Sequence, residues 1–180
     1  REATKYAVES AKKAGALISF DPNLREPLWD SLELAKEQVL YGLGKCVILN
    51  ISDNEIQWLT GEEDFDAGVR KIREKYPITL ILVSMGRDGS RAYYRWGTPG
   101  QVRVEVAPYL QETTIETTGA GDTFCGCVLH YILEHGLEEL DAEKLTAMLK
   151  IANAAASVIT TRKGALRVMP NLEEIDRLMK

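Results

Sequence analysis

No stretch of this sequence stays apolar for the roughly 18 residues that a membrane-crossing helix requires, so no helical span is expected. Basic residues are the minority. Lys and Arg number 22 against 27 Asp and Glu, and the formal net charge of -5 argues against nucleic acid or an anionic membrane as partner. Cysteine is scarce: three thiols with no paired spacing argue against a disulfide framework and for a reduced, cytoplasmic setting. Cys125 and Cys127 sit two apart on an expected helix and so point to different faces, while His130 and His135 have no ligand partner in the pattern. A metal cluster built on them is not expected. Two familiar phosphate loops are also missing. Gly44-Lys45 lacks the upstream glycine of a P-loop, and no Gly-x-Gly-x-x-Gly follows a strand. An enzyme of nucleotides with this sequence must hold phosphates in some other way. Nor is there an internal repeat, a low-complexity segment or a long linker.

What is present is an ordinary globular composition, 45% hydrophobic and 27% charged over 180 residues, enough for one domain with a real core. Helices and strands alternate. Residues 2–14 read as a helix with Tyr6, Ala7, Ala11 and Ala14 on its apolar stripe, and Ala16–Phe20 reads as a short buried strand. A helix over Trp29–Tyr41, a strand over Cys46–Asn50 and a short helix over Asp53–Leu59 follow. A helix over 64–75 leads into the apolar run Ile78–Val83, typical of a strand covered on both faces. Gly89–Trp96 and Gln101–Val106 then alternate polar and apolar about the turn Gly97-Thr98-Pro99-Gly100, the pattern of an antiparallel hairpin. Helices over 121–135, 142–159 and 172–179 complete the chain. The expected fold is α/β: a single domain over 1–180 with a doubly wound, mostly parallel sheet, helices on both faces and an antiparallel hairpin at one edge. Arg1-Glu2-Ala3-Thr4-Lys5 opens a charged helix rather than a signal peptide, and the series begins without an initiator Met. The expectation is therefore a chain that starts mid-protein, with Ala16–Phe20 lacking a neighbouring strand.

The chemistry concentrates in Thr117-Thr118-Gly119-Ala120-Gly121-Asp122-Thr123-Phe124, at the start of the helix over 121–135. A helix N-terminus carries unpaired N–H groups and about half a positive charge. Glycines at 119 and 121 let an anion approach without a Cβ in the way. Asp122 would repel a resting phosphate, but it suits a hydroxyl that loses its proton where negative charge develops. That is the layout of phosphoryl transfer to an alcohol. The same Asp could simply cap the helix, and the local pattern leaves both readings open.

Other segments carry paired readings too. Ser84-Met85-Gly86-Arg87-Asp88-Gly89 could donate to a phosphate at a strand end, or serve only as a tight turn into the hairpin, which is the favoured local reading. Ser52-Asp53-Asn54-Glu55 has the form of a capping box, and its carboxylate could alternatively hold a magnesium–water cluster; locally the capping box is preferred. Asp21-Pro22-Asn23-Leu24-Arg25 places a guanidinium where it could grip a phosphate or carboxylate, or form a surface ion pair. Ala152-Asn153-Ala154-Ala155-Ala156 admits a flat ring or close helix packing.

The order of these segments, DPNLR, SDNE…LTG, SMGRDG, TTGAGDTF and NAAA…TRKGA, each in its place among the strands and helices, resembles the ribokinase-type (phosphofructokinase-B) sugar kinases, and within them the bacterial fructokinases. The resemblance spans essentially all 180 residues, and GAGDTF and TRKGA are its most specific parts. It implies an ATP-dependent sugar kinase in which Asp122 is the base and the amides around Gly119, Ala120 and Gly121 form the anion hole. Ser84, Gly86 and Gly89 would line the phosphate and ribose site, with Asn153, Lys163 and Gly164 also on the nucleotide side. Arg25 would contact the sugar or a phosphate, Glu55 would organise Mg2+ through water, and Thr118 with Gly164 would lie where many members bind K+. The implied partners are a small sugar and ATP, with a homodimer for the longer parent. Ketodeoxygluconate kinase, ribokinase and nucleoside kinase are the alternatives, along with a truncated nucleotide-binding module that does no chemistry. Three departures stand out. The family's Asn-x-x-Glu is Ser52-x-x-Glu55, the acid before the threonines is Glu116 rather than Asp, and family members are nearly twice as long, with a sugar-binding N-terminal half.

Overall fold

Two compact units divide the chain, residues 1–83 with 93–101 and residues 84–92 with 102–180. The computed structural model describes every residue from Arg1 to Lys180. The first unit holds helix α1 (Glu2–Lys13), strand β1 (Ser19–Phe20), helix α2 (Leu32–Leu43), strand β2 (Ile48–Ser52), helices α3 (Asp53–Thr60) and α4 (Phe65–Arg73), and most of strand β3 (Leu80–Ser84). Strand β4 (Ser90–Tyr94) contributes one end to each unit. The second unit continues with strand β5 (Val102–Val106) and helices α5 (Ala120–His135), α6 (Ala142–Ile159) and α7 (Leu172–Met179).

The strands form one sheet in the order β1-β2-β3-β4-β5. Strands β1 and β2 are parallel, Ser19 opposite Ile48 and Phe20 opposite Leu49. Strands β4 and β5 are neighbours joined by a tight turn in which Gln101 N donates to Thr98 O at 3.1 Å. So short a link can join only antiparallel strands. The result is a mixed α/β sheet with the expected hairpin at one edge. Strands β2 and β3 are buried along almost their whole length, from Ile48 to Ile51 and from Leu80 to Val83. That is why their sequences are continuous apolar runs rather than alternating ones.

Helix starts follow local chemistry. Ser31, Asp64 and Asp141 each accept the N3 backbone N–H of their helix, at 3.1, 2.8 and 2.8 Å. Ser52 with Glu55 and Asn171 with Glu174 form full capping boxes.

Several boundaries differ from the sequence expectation. The helix expected from Trp29 begins only at Leu32, because a 3-10 turn occupies Glu26–Leu28 and Ser31 supplies the cap. Strand β2 starts two residues late, since Cys46 N still bonds back to Gly42 O at 3.0 Å and prolongs the end of α2. Strand β1 keeps only two residues: Ala16 N returns to Ala11 O at 3.0 Å, so the chain has not yet left the turn that closes α1. Nor is β1 the buried strand expected, for Ala16 and Leu17 are exposed. The apolar stripe of α1 is uncovered as well, since the helix has no buried residue.

Candidate active site

In the second unit, helix α5 opens without a side-chain cap. Gly119 occupies the N-cap position at φ +80°, a left-handed conformation that favours glycine, and a Cβ there would press on Ile159 Cδ1 at 3.2 Å. Thr123 is the first residue of the helix to bond back along it, its N–H to Gly119 O at 2.8 Å, with its hydroxyl on the same oxygen at 2.8 Å. Asp122 therefore does not cap the helix. It lies exposed in the first turn, beside Gly121, whose absent Cβ would meet nothing within 4 Å. Uncapped N–H donors, a bare backbone and one outward carboxylate share this helix end.

The end of α5 is tied to the loop after α6 by Glu116. Its carboxylate accepts the Thr118 hydroxyl at 2.5 Å on one oxygen and the Gly164 N–H at 3.2 Å on the other. Thr118's hydrogen bond, then that of Gly164, with a further attraction from Lys163, holds the Glu116 carboxyl below the ordinary carboxylate range. Alongside, Ile115 N and Glu116 N both donate to Thr160 O, at 2.8 and 3.2 Å. Thus Gly164 is brought beside Thr118 and Gly119, from which it is distant in sequence. Lys163 is exposed on the same loop. Arg162 anchors that loop to α7 through Glu174 and the Val168 carbonyl.

Ser84, half-buried, ends β3, and a 3-10 turn over Gly86–Asp88 follows, closed by Met85 N donating to Gly89 O at 2.9 Å. Gly89 is required here. Its φ is +91°, and a Cβ would lie 2.2 Å from the Val106 carbonyl oxygen. Asn153 on α6 is buried, with its amide fully committed: Oδ1 accepts Ser90 Oγ at 2.9 Å, and Nδ2 donates to Val106 O and Ala107 O, each at 3.2 Å. It holds β4 and β5 beside α6, and Ser90, unremarked in the sequence reading, is its partner.

In the first unit, the residues after β1 are held from two directions. Asn50 in the middle of β2, 3% exposed, donates to Asp21 Oδ2 at 2.8 Å, while its own Oδ1 accepts no hydrogen bond. Leu24 N donates to Glu55 Oε1 at 2.6 Å. Arg25 points outward, bonding only to the neighbouring Leu24 carbonyl at 3.1 Å, and enters no ion pair. The role of Asn50 in holding this loop was not read from the sequence. The only signal was a polar side chain closing the apolar run expected as a strand.

Fold and helix end together define an α/β protein with an anion-receptive terminus of the kind used in phosphoryl transfer. The family model of the pfkB family carbohydrate kinases matches residues 1–172, and the chain belongs to that family. It is 37% identical over 180 residues to fructokinase-1 of Zea mays, covering 100% of this chain and 54% of the relative. Among solved structures it is similar to a double mutant of fructokinase from Vibrio cholerae with fructose, ADP and potassium bound (TM-score 0.83, 28% identity, 100% of this chain and 56% of the other). It is similar also to ATP-bound fructokinase from Xylella fastidiosa (TM-score 0.82, 25% identity, 99% and 56%). The fold is thus ribokinase-like, and the chain spans about half the length of the relatives it matches.

Proposed function

We propose that this chain is the nucleotide-binding and catalytic part of a longer ATP-dependent sugar kinase, acting on fructose, with Asp122 as base. The observation that carries this reading is the start of α5, where an exposed carboxylate follows a glycine with open space over it, at a terminus no side chain caps. The sugar hydroxyl oxygen bonds to the γ-phosphorus, its proton passes to Asp122, and the bridging bond to the β-phosphate breaks with its electron pair leaving on ADP. The backbone amides around Gly119, Ala120 and Gly121 stabilise the negative charge on the moving group; of these, Ala120 N also donates to Thr117 O at 3.2 Å. Ser84, Gly86 and Gly89 line the phosphates and ribose. Asn153, whose amide is spent inside the protein, shapes the adenosine side through the backbone it holds. Lys163 and Gly164 flank the same side, and Arg25 would contact the sugar or a phosphate.

Thr118 and Gly164, drawn together by Glu116, would supply hydroxyl and carbonyl oxygens to a hard cation such as K+. Mg2+, bound to the triphosphate, would neutralise part of its charge. The reading carries with it a cytoplasmic homodimer for the longer protein. The similarity to fructokinases supports fructose over ketodeoxygluconate or ribose, and a substrate panel on the full-length protein decides among them.

The test of the base is Asp122→Ala in the full-length protein. Turnover is expected to fall by about two to four orders of magnitude while ATP still binds. Turnover near that of the parent would remove Asp122 from the chemistry, and ATP binding with no sugar-dependent turnover in the parent itself would leave only a nucleotide-binding module.

A further inference from the structure

The carboxylate of Glu55 is gripped by the protein on both oxygens. Its Oε1 accepts the Leu24 N–H at 2.6 Å, across 31 residues of sequence. Its Oε2 accepts both the Ser52 N–H at 2.9 Å and the Ser52 hydroxyl at 2.8 Å. A carboxylate offers about four lone-pair sites, and three of these are taken by donors held on the backbone or on the cap of α3. Direct coordination of magnesium would require one of these oxygens to turn toward the ion in near-octahedral geometry, which a carboxylate clasped on both oxygens does not offer; the site left on Oε1 could accept at most a single hydrogen bond, such as one from a metal-bound water. The Ser52 cap alone would need only Oε2. The bond to Leu24 is additional, and it reaches the one loop of the first unit that carries an outward, unpaired guanidinium, Arg25.

We propose that Glu55 is a positioning residue that fastens the Asp21–Arg25 loop to the N-terminus of α3 and so sets where Arg25 stands. Asn50 holds the front of the same loop through Asp21, and Glu55 holds its back. With both ends pinned, Arg25 projects from a fixed base although its own side chain is exposed. Asn23 between them adopts a left-handed φ of +42°, so the loop has a defined conformation to be held in.

Amide exchange and kinetics on the full-length protein test this, with Glu55→Gln and Glu55→Asp. Gln replaces one acceptor oxygen by a donor that must face either Leu24 N–H or Ser52. Asp keeps the charge but is one methylene too short to serve both. In the parent, the Leu24 amide is expected to exchange at least about tenfold more slowly than an open loop amide, and either variant to lose that protection. With fructose and ATP, the sugar KM is expected to rise by about tenfold, and the magnesium concentration for half-maximal rate to stay within about twofold of the parent. An unprotected Leu24 amide in the parent overturns the proposal without any variant. So does a several-fold rise in magnesium requirement at unchanged sugar KM. The kinetic arm rests on Arg25 facing the sugar and the exchange arm does not. If Leu24 loses protection while the sugar KM holds, the anchor stands and it is the sugar-facing reading of Arg25 that falls.

Discussion

At Gly89 and Gly121 the same residue type answers opposite demands. Gly89 has a positive φ and the Val106 carbonyl 2.2 Å from where its Cβ would be. Gly89→Ala is therefore expected to cost about 1–3 kcal/mol, from backbone strain plus overpacking, read as a fall in the denaturant midpoint. Gly121 has helical geometry and open space, so structure alone asks for no glycine there. Gly121→Ala is expected to leave stability unchanged or raise it by up to about 1 kcal/mol, yet to lower turnover in the full-length protein because the new methyl group meets the transferred phosphoryl. If Gly121→Ala kept full turnover, the anion hole would have to be elsewhere. Both glycines were legible as a Gly-rich pattern. Which of them the fold itself requires was not, because that depends on what stands opposite the missing Cβ.

Among the elements, most of the helices and strands were readable in advance because their signals are local. The bounds 142–159 and 172–179 follow from caps at Asp141 and Asn171 and from the apolar period between them. Expectation failed where the end of one element decided the start of the next, as with Ala16 held back to Ala11 and Cys46 to Gly42. The link from the segment before α5 to the loop after α6 gives a pH prediction. Glu116 has its pKa lowered in the folded state, mainly by Thr118 and Gly164. Its contribution is therefore present above the unfolded value, about 4.3, and is lost as pH falls through the lower folded value. Acidification through that window should release Gly164, read as faster exchange of its amide. Glu116→Gln should largely remove this pH dependence. Exchange at Gly164 that did not respond to pH in the parent would show that the link contributes nothing.

For the molecule as a whole, the sheet has β1 at one edge, only two residues long, next to exposed Leu17. Helix α1 has no buried residue, and its Tyr6 is 77% exposed. An unpaired strand edge flanked by apolar surface invites pairing with another chain. Residues 1–180 expressed alone are expected to self-associate at micromolar concentration, measured by light scattering; a clean monomer would show that this edge is protected as it stands. The division into two compact units, by contrast, was not read from the sequence. Strand β4 reads as one hairpin arm, and nothing in its alternation reveals that its two ends belong to different units.

The amino-acid sequence by itself determined the alternation of helices and strands, the hairpin, the caps and the glycine-opened terminus that places Asp122. Each of these depends on residues within a few positions of one another, where periodicity, φ preference and hydrogen-bonding groups act directly. Only the tertiary structure decided the partners of the polar side chains: Glu55 with Leu24, Asn153 with Ser90, Glu116 with Gly164, at sequence separations of 31, 63 and 48. A carboxylate or amide announces that it must be satisfied, but many donors along the chain could satisfy it. The choice falls to whichever backbone the packed strands and helices bring within 3 Å or so.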